Sequence, residues 1–160
     1  MIEFVGTRAA GLAAMQAFVP GMGLRYAQGR NYDKGRGNHT DVSMLSPYLR
    51  RRLITEREVV AAAIDAHGRD EASKFIEEVI WRGYYKGWLE RRPQVWDAYS
   101  ADLGADLASL KRDRRLRRDI ERAETGQTGL DYFDSWAQEL VATGYLHNHC
   151  LLYTSPSPRD

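Results

Sequence analysis

Apolar residues recur along most of the chain at the three- and four-residue spacing of amphipathic helices. We predict helices over residues 7–18, 24–30, 46–53, 55–68, 70–90, 95–110, 111–124 and 131–144, with a possible break of the sixth at Gly104. The last helix is expected to bury Phe133, Trp136, Ala137, Leu140 and Val141. No segment alternates for long enough to predict a strand. The predicted fold class is therefore all-α.

Residues that favour helix ends mark several of these boundaries. Thr55 and Glu58 have the spacing of a capping box, and Gly68 is expected to stop the helix that they begin. Ser46 followed by a proline is typical of an N-cap and a first-turn proline. The stretch 31–42, rich in Gly, Asn and Asp, is predicted to be a loop.

Composition excludes several classes of protein. The chain has 160 residues, 23 basic and 22 acidic side chains, a net charge of +1 and a single cysteine. This length suggests one domain, and one cysteine excludes a disulfide framework. There is neither a long apolar run nor the basic n-region of a signal peptide. We expect a soluble, cytoplasmic protein with no membrane partner.

The helix predicted at 70–90 has two different faces. One carries Ala72, Phe75, Ile76, Val79, Ile80 and Gly83, and the other carries Glu78, Trp81, Arg82 and Tyr85. A carboxylate, an indole, a guanidinium and a phenol in one stripe would suit a charged aromatic ligand. The alternative is a solvated face, because Lys74, Glu78 and Arg82 have the i, i+4 spacing of an ion-pair ladder. Trp81 is an unusual residue for such a face.

Three further segments carry possible chemistry, each with a plain structural alternative. The loop before Ser46 could hold a phosphate at a helix N-terminus, or it could simply begin a helix. The basic runs 50–52 and 111–118 could contact phosphates, although alternating charges are typical of solvated helix faces. The sequence at 147–149, His-Asn-His, has no third ligand nearby, so we predict no metal site.

Taken together, four ordered motifs resemble the helical FAD-binding domain of the DNA photolyase and cryptochrome family. Residues 26–31 resemble its Tyr-x-x-x-Arg-Asp/Asn motif, and 42–49 resemble its Thr-Ser-x-Leu-Ser-x-x-Leu phosphate loop. Residues 78–85 are similar to Glu-Leu-x-Trp-Arg-x-Phe/Tyr-Tyr. Residues 126–148 are similar to Gly-x-Thr-Gly…Asp…Leu…Gly-Trp/Tyr-x-His-Asn. The resemblance covers roughly Thr7 to His149 and implies a multi-helical, all-α FAD-binding domain.

The resemblance implies an FAD site and a DNA site. FAD would contact Tyr26, Val42, Ser43, Met44, Leu45 and Ser46 through its phosphates and ribityl chain, and Phe75 and Arg82 near the flavin. Damaged DNA would contact Arg30, Glu78, Trp81, Tyr85, Asn148 and His149. In this arrangement Trp81 stacks on an everted pyrimidine dimer and Glu78 hydrogen-bonds a base carbonyl. Glu78 and Asn148 would be the catalytic residues, with Asn148 between flavin and lesion.

The implied activity is that of a deoxyribodipyrimidine photolyase-like carbon–carbon lyase. Light drives an electron from reduced FAD into a cyclobutane pyrimidine dimer, which then splits. One alternative is a cryptochrome-like blue-light photoreceptor that binds FAD without repairing DNA. Another is a helical module with neither flavin nor light chemistry, if the motif match arose by chance.

The chain departs from the family pattern at two motif positions and at both ends. Val42 stands where Thr is usual, and His149 stands where Arg is frequent. No antenna-type domain precedes Thr7, so we expect no second chromophore on this chain. We also expect the full-length protein to be a monomer.

The end of the sequence has an unusual match of its own. Residues 150–160 are the translation of a common transposase sequencing adapter. We therefore expect 1–149 to be the N-terminal part of a truncated FAD-binding domain and 150–160 to be non-native, a natural Pro/Ser-rich tail being the alternative. Codons unrelated to that adapter would contradict this hypothesis. Because the family's flavin-ring aspartates and relay tryptophans follow the His-Asn pair, we expect this chain to bind FAD poorly and to be inactive.

Overall fold

The computed structural model describes residues 4–147 and 150, and within them it forms eight α-helices, a short 3₁₀ turn and no strand. The predicted all-α fold class is confirmed. The chain divides into two compact units between Tyr84 and Tyr85.

The first unit contains four complete helices and most of a fifth. They are α1 (Arg8–Phe18), α2 (Leu24–Gly29), α3 (Ser46–Arg50), α4 (Glu56–Glu71) and α5 (Ser73–Glu90), with the 3₁₀ turn at Val19–Gly21. Their buried side chains form one core, made of Met15, Met22, Leu45, Tyr48, Leu49, Ile54, Val59, Ala63, Ala72, Phe75 and Val79. The predicted loop at 31–42 has no regular structure.

Side-chain caps explain where the longer helices of this unit begin. The Thr7 hydroxyl accepts a hydrogen bond from the Ala10 N–H, 3.2 Å away, and so caps α1. Thr55 and Glu58 form the predicted capping box at the start of α4. Gly68 has a φ of 74°, which favours glycine, and it kinks the helical run where the sequence predicted an end.

Helix α3 differs from the prediction at both ends. Ser46 is its first helical residue rather than its N-cap, because Leu45 already has helical dihedral angles and takes the cap position. The helix ends at Arg50 instead of Leu53, since Arg52 turns the chain with a φ of 58°.

The second unit contains the last turns of α5 and three further helices. They are α6 (Pro93–Arg112), α7 (Arg114–Glu124) and α8 (Asp131–Thr143). Helix α6 runs through Gly104 without a break, and α7 begins later than predicted because Asp113 caps it with hydrogen bonds from the Arg115 and Leu116 N–H groups. Gly144, at φ 70°, ends α8 as predicted.

The predicted burial along α8 is wrong for two residues. Leu140 is 44% exposed and Val141 is 71% exposed, whereas Phe133, Trp136 and Ala137 are partly buried. The periodicity identified the helix but overestimated the width of its covered face.

Two sequence predictions fall outside the described residues. They concern Asn148 and His149, and the tail from Leu151 to Asp160. These remain predictions. Among the helices that are described, none is long and apolar enough to cross a bilayer.

Candidate functional site

Helix α5, with Ala72 just before it, presents the two faces that its sequence predicts, with two exceptions. Ala72, Phe75 and Val79 are buried in the core. Ile80 and Gly83, which were assigned to the same face, are exposed, Ile80 to 60%. At 100° per residue Ile80 lies at the edge of the apolar stripe, so its side chain points away from the core.

The polar face of α5 is organised by a tertiary ion pair rather than by a ladder along the helix. Arg30 Nη1 donates to Glu78 Oε1 at 2.8 Å, although the residues are 48 positions apart. Lys74 pairs with Glu77 instead of Glu78. The solvated-ladder interpretation is therefore wrong at Glu78, because a part-buried guanidinium reaches that carboxylate.

Two aromatic residues on this polar face are open to solvent. The Trp81 side chain is 48% exposed and contacts the Tyr84 ring edge-on, with centroids 5.3 Å apart. Tyr85 is 58% exposed. A half-exposed indole one turn from the Arg30–Glu78 pair provides a flat apolar surface beside a hydrogen-bonding group.

Tyr26, on α2, connects the ion pair to the core. Its ring packs edge-on against Phe75, with centroids 5.0 Å apart. Burial, followed by the negative charge of Glu78, raises the pKa of Tyr26 to about 12. The phenol is therefore neutral at physiological pH and can donate a hydrogen bond. Phe75 itself is 2% exposed, so its ring belongs to the core.

The segment 42–46, predicted as a phosphate loop, forms a local turn before α3. Met44 has a φ of 52°, and the Ser43 hydroxyl accepts from the Leu45 N–H at 3.4 Å. Leu45 is 1% exposed, so it belongs to the core and does not itself face a ligand. Within the described residues no side chain caps α3, and Pro47 has no N–H to offer in its first turn.

Asp41, immediately before this loop, is a residue that the sequence analysis missed. Its buried carboxylate pairs with Lys34 and with Arg25, whose Nε lies 3.3 Å away. The Lys34 hydrogen bond, aided by Arg25 and opposed by burial, lowers the pKa of Asp41. Gly29 approaches the same carboxylate so closely that a Cβ there would lie 2.5 Å from Oδ2. Helix α2 is thereby fixed against the loop. The only signal in the sequence was the mixture of charges at 25–41.

Arg82, predicted to face the flavin, lies near the start of α4. Its Nε is 3.9 Å from Glu56 Oε1, and the other Glu56 oxygen accepts from Arg52 at 2.8 Å. The structure thus joins Arg30 to Glu78 and Tyr26 to Phe75, whereas Arg82 contacts a different carboxylate.

The motif at 126–134, in the second unit, forms a structural turn. The Asp134 carboxylate accepts from the backbone and hydroxyl of Thr128, at 2.8 and 2.6 Å, and from the Gly129 N–H at 2.8 Å. These bonds, led by the Thr128 hydroxyl, lower the pKa of Asp134. The motif therefore fixes the connection between α7 and α8.

His147, after α8, is 3% exposed, and the Cys150 N–H donates to its carbonyl at 3.0 Å. Asn148 and His149, assigned to DNA, lie outside the described residues. The described residues contain no cluster of three or more His, Cys, Asp or Glu side chains placed to hold a metal.

Comparison with known proteins gives three curated relatives, all named deoxyribodipyrimidine photo-lyase. The protein from Alkalihalophilus pseudofirmus is 24% identical over 72% of this chain, and that from Vibrio cholerae is 27% identical over 77%. The Synechococcus protein is 28% identical over 88%. The matches span only 24%, 26% and 29% of these relatives' lengths, respectively.

No family model matches the sequence. No solved structure matches it either. The three relatives nevertheless carry the same name. The all-helical fold is also the fold class that the ordered motifs imply. On these grounds the chain is similar to photolyases over most of its length.

Proposed function

We propose that this chain is part of an FAD-dependent enzyme that repairs cyclobutane pyrimidine dimers in DNA with light. The proposal has its support in the names of the three relatives and in the arrangement on α5. The observation that carries it is the half-exposed Trp81 beside a Glu78 held by Arg30.

The loop at 42–46 fits an anionic group such as the phosphates of FAD. The Ser43 and Ser46 hydroxyls would donate to it. Lys34 and Arg25 compensate the charge of Asp41, so the neighbouring carboxylate does not oppose an anion. Tyr26 would contribute a neutral phenol. When bound, reduced FAD supplies the photoexcited electron that splits the dimer.

Glu78 and Trp81 would receive the everted bases. One Glu78 oxygen already accepts from Arg30, so the carboxylate is oriented. As an acceptor it would take a base N–H, and not the base carbonyl that the resemblance implies. The Trp81 indole would stack on the dimer, since every base presents a π-face to an aromatic side chain. Arg30 would contact the DNA backbone while it orients Glu78.

A binding experiment tests the placement of Trp81. We expect Trp81→Ala to weaken binding of a dimer-containing oligonucleotide by about 1–3 kcal/mol, or roughly 5- to 150-fold in Kd, because stacking is lost. The matched control is Trp96→Ala, which removes a 69% exposed indole from α6 and is expected to leave lesion affinity unchanged. Equal affinity of wild type and Trp81→Ala for the lesion would contradict the proposal.

A repair assay separates the enzyme from a blue-light receptor of the same family. It uses the gene product carried to its natural stop codon, with FAD, reductant and blue light, and measures loss of thymine dimers from irradiated oligonucleotides. We expect light-dependent loss that Glu78→Gln reduces. Flavin absorbance without any loss of dimers would favour the receptor, and no flavin absorbance after FAD is added would contradict both.

A further inference from the structure

Helix α7 and the end of α6 carry an unusual concentration of positive charge. Six of the eight residues at 111–118 are Lys or Arg, and Asp113 is the one acid among them. All of the six are exposed. Because Asp113 accepts from the Arg115 and Leu116 N–H groups as the α7 cap, its carboxylate is already committed.

The arginines of α7 are confined to one side of the helix. Arg114, Arg118 and Arg122 follow one another at i, i+4 and i+8, which places them in one row. Leu116 and Ile120 lie on the opposite side, and Ile120 lines a cavity together with Leu107 and Leu110 of α6. Ile120 therefore faces α6, and the arginine row lies on the other side of the helix.

Some of these cations already serve the fold. Arg117 donates to the Leu110 carbonyl at 3.3 Å and so helps to cap α6. Arg122 donates to the Gln127 carbonyl at 2.9 Å, and Arg115 lies 3.9 Å from Asp119. By contrast, no ion pair within the described part of the chain includes Lys111, Arg112, Arg114 or Arg118. These four cations are available to an external anion.

The arrangement is unfavourable for an isolated helix. Arg114 and Arg118 are like charges at i, i+4, which destabilise each other, and the first turn of α7 contains no acid. Cations at the positive end of a helix are also disfavoured. Among the described residues, Asp119 is the one carboxylate of α7 that pairs with an arginine of the same helix, Arg115. Repeated anions beside α7 would offset both costs.

We propose that the row of Arg114 and Arg118, with Lys111 and Arg112 beside it, binds the phosphate backbone of duplex DNA. The choice of DNA rests on the proposed function, and the site is additional to the lesion-facing residues of α5. A membrane surface is the less suitable partner, because a membrane-bound amphipathic helix inserts its apolar face and Ile120 on that face lies against α6.

The test measures how salt affects binding of the full chain to an undamaged duplex, in the dark and without flavin. Each phosphate contact contributes about 0.9 to the slope of log K against log salt concentration. Arg114→Gln/Arg118→Gln is therefore expected to lower that slope by about 1.8. Between about 50 and 200 mM salt the affinity of both proteins should fall. The factor by which it falls should be roughly ten times smaller for this variant than for the wild type.

Two controls separate a local site from net charge and from loss of structure. Arg57→Gln/Arg69→Gln removes the same charge from exposed positions on α4 and should leave the slope unchanged. Arg114→Lys/Arg118→Lys keeps the charge and should retain the wild-type slope. Far-UV circular dichroism verifies that every variant keeps its helix content.

Three outcomes would overturn the proposal. They are an unchanged slope in the α7 glutamine variant, an equal loss in the α4 variant, and binding of the α7 row to phosphatidylserine vesicles without binding to the duplex. A failed repair assay would not affect the conclusion from the salt titration, because the titration uses neither a lesion nor flavin. Conversely, a failed α7 test would leave the Trp81 experiment intact.

Discussion

The two compact units of this chain are stabilised in different ways. In the unit that ends at Tyr84, eleven buried hydrophobic residues form a single core, in which Met22, Ile54 and Val59 are completely inaccessible. In the other unit, α6 and α7 contain no buried residue. Instead, hydrogen bonds to Asp113 and Asp134 fix the starts and turns of its helices.

This difference determines which substitutions each unit should tolerate. Removing a buried side chain loses transfer free energy and leaves a cavity, whereas removing an exposed one loses little. Trp96 and Tyr99 on α6 are 69% and 55% exposed. Large side chains are therefore important for folding in the first unit, and polar caps are relatively more important in the second.

The largest expected effect is on the core of the first unit. Phe75→Ala should lower the free energy of unfolding by about 3–5 kcal/mol, because the ring is 2% exposed and packs against Tyr26 and Phe18. Trp96→Ala on α6 should change it by less than about 0.5 kcal/mol. Denaturant titration measures both. Similar losses in the two variants would contradict the contrast between the units.

A pair of glycine substitutions compares close packing with open space. Gly29→Ala should destabilise the protein by about 1–3 kcal/mol, because the new Cβ would lie 2.5 Å from the anchored Asp41 carboxylate. Gly104→Ala, on α6, meets nothing within 4 Å and should stabilise by about 0.5–1 kcal/mol through helix propensity. Thermal unfolding measures the stability of both variants. A stabilising effect of Gly29→Ala would show that α2 is not fixed against the loop.

A smaller effect is expected at a helix cap. Thr55→Ala should cost about 1 kcal/mol, because it removes the hydroxyl that accepts from the Glu58 N–H at the start of α4. Thr55→Ser keeps that hydroxyl and should stay within about 0.5 kcal/mol of the wild type. If the two variants unfold alike, the capping box contributes no measurable stability.

The smallest expected effect is a decrease in stability at acidic pH. Hydrogen bonds from Arg8 and then from Thr55 lower the pKa of Glu58 from 4.5 to about 2. A carboxylate whose pKa is lowered by folding stabilises the folded state fully above its unfolded pKa. That contribution is lost as the pH falls from 4.5 towards 2.

Thermal midpoints across this pH range measure the contribution of Glu58. Glu58→Gln should flatten the decline relative to the wild type. The control Glu71→Gln removes the same charge from an exposed position on α4, with no ion pair to another described residue, and should follow the wild-type curve. An unchanged slope in Glu58→Gln would contradict the assignment.

The sequence by itself determined the helices, most of their ends and the buried face of α5. Hydrophobic spacing and capping residues act within a few positions of one another, so they can be identified without knowledge of the fold. Thr55 and Gly144 behave as predicted for this reason, and Gly68 interrupts the helical run at the predicted position, although the run continues to Glu71. The motifs likewise placed Glu78 and Trp81 on one side of α5.

Only the tertiary structure decided how those side chains are paired. Glu78 takes Arg30, 48 residues away, in place of a neighbour on its own helix, and Arg82 approaches Glu56. Asp41 acquires two cations because α2 and the following loop fold back on it. Local spacing cannot predict such pairs, because a carboxylate forms an ion pair with the cation that folding brings closest. The separation of the two residues in the sequence does not matter.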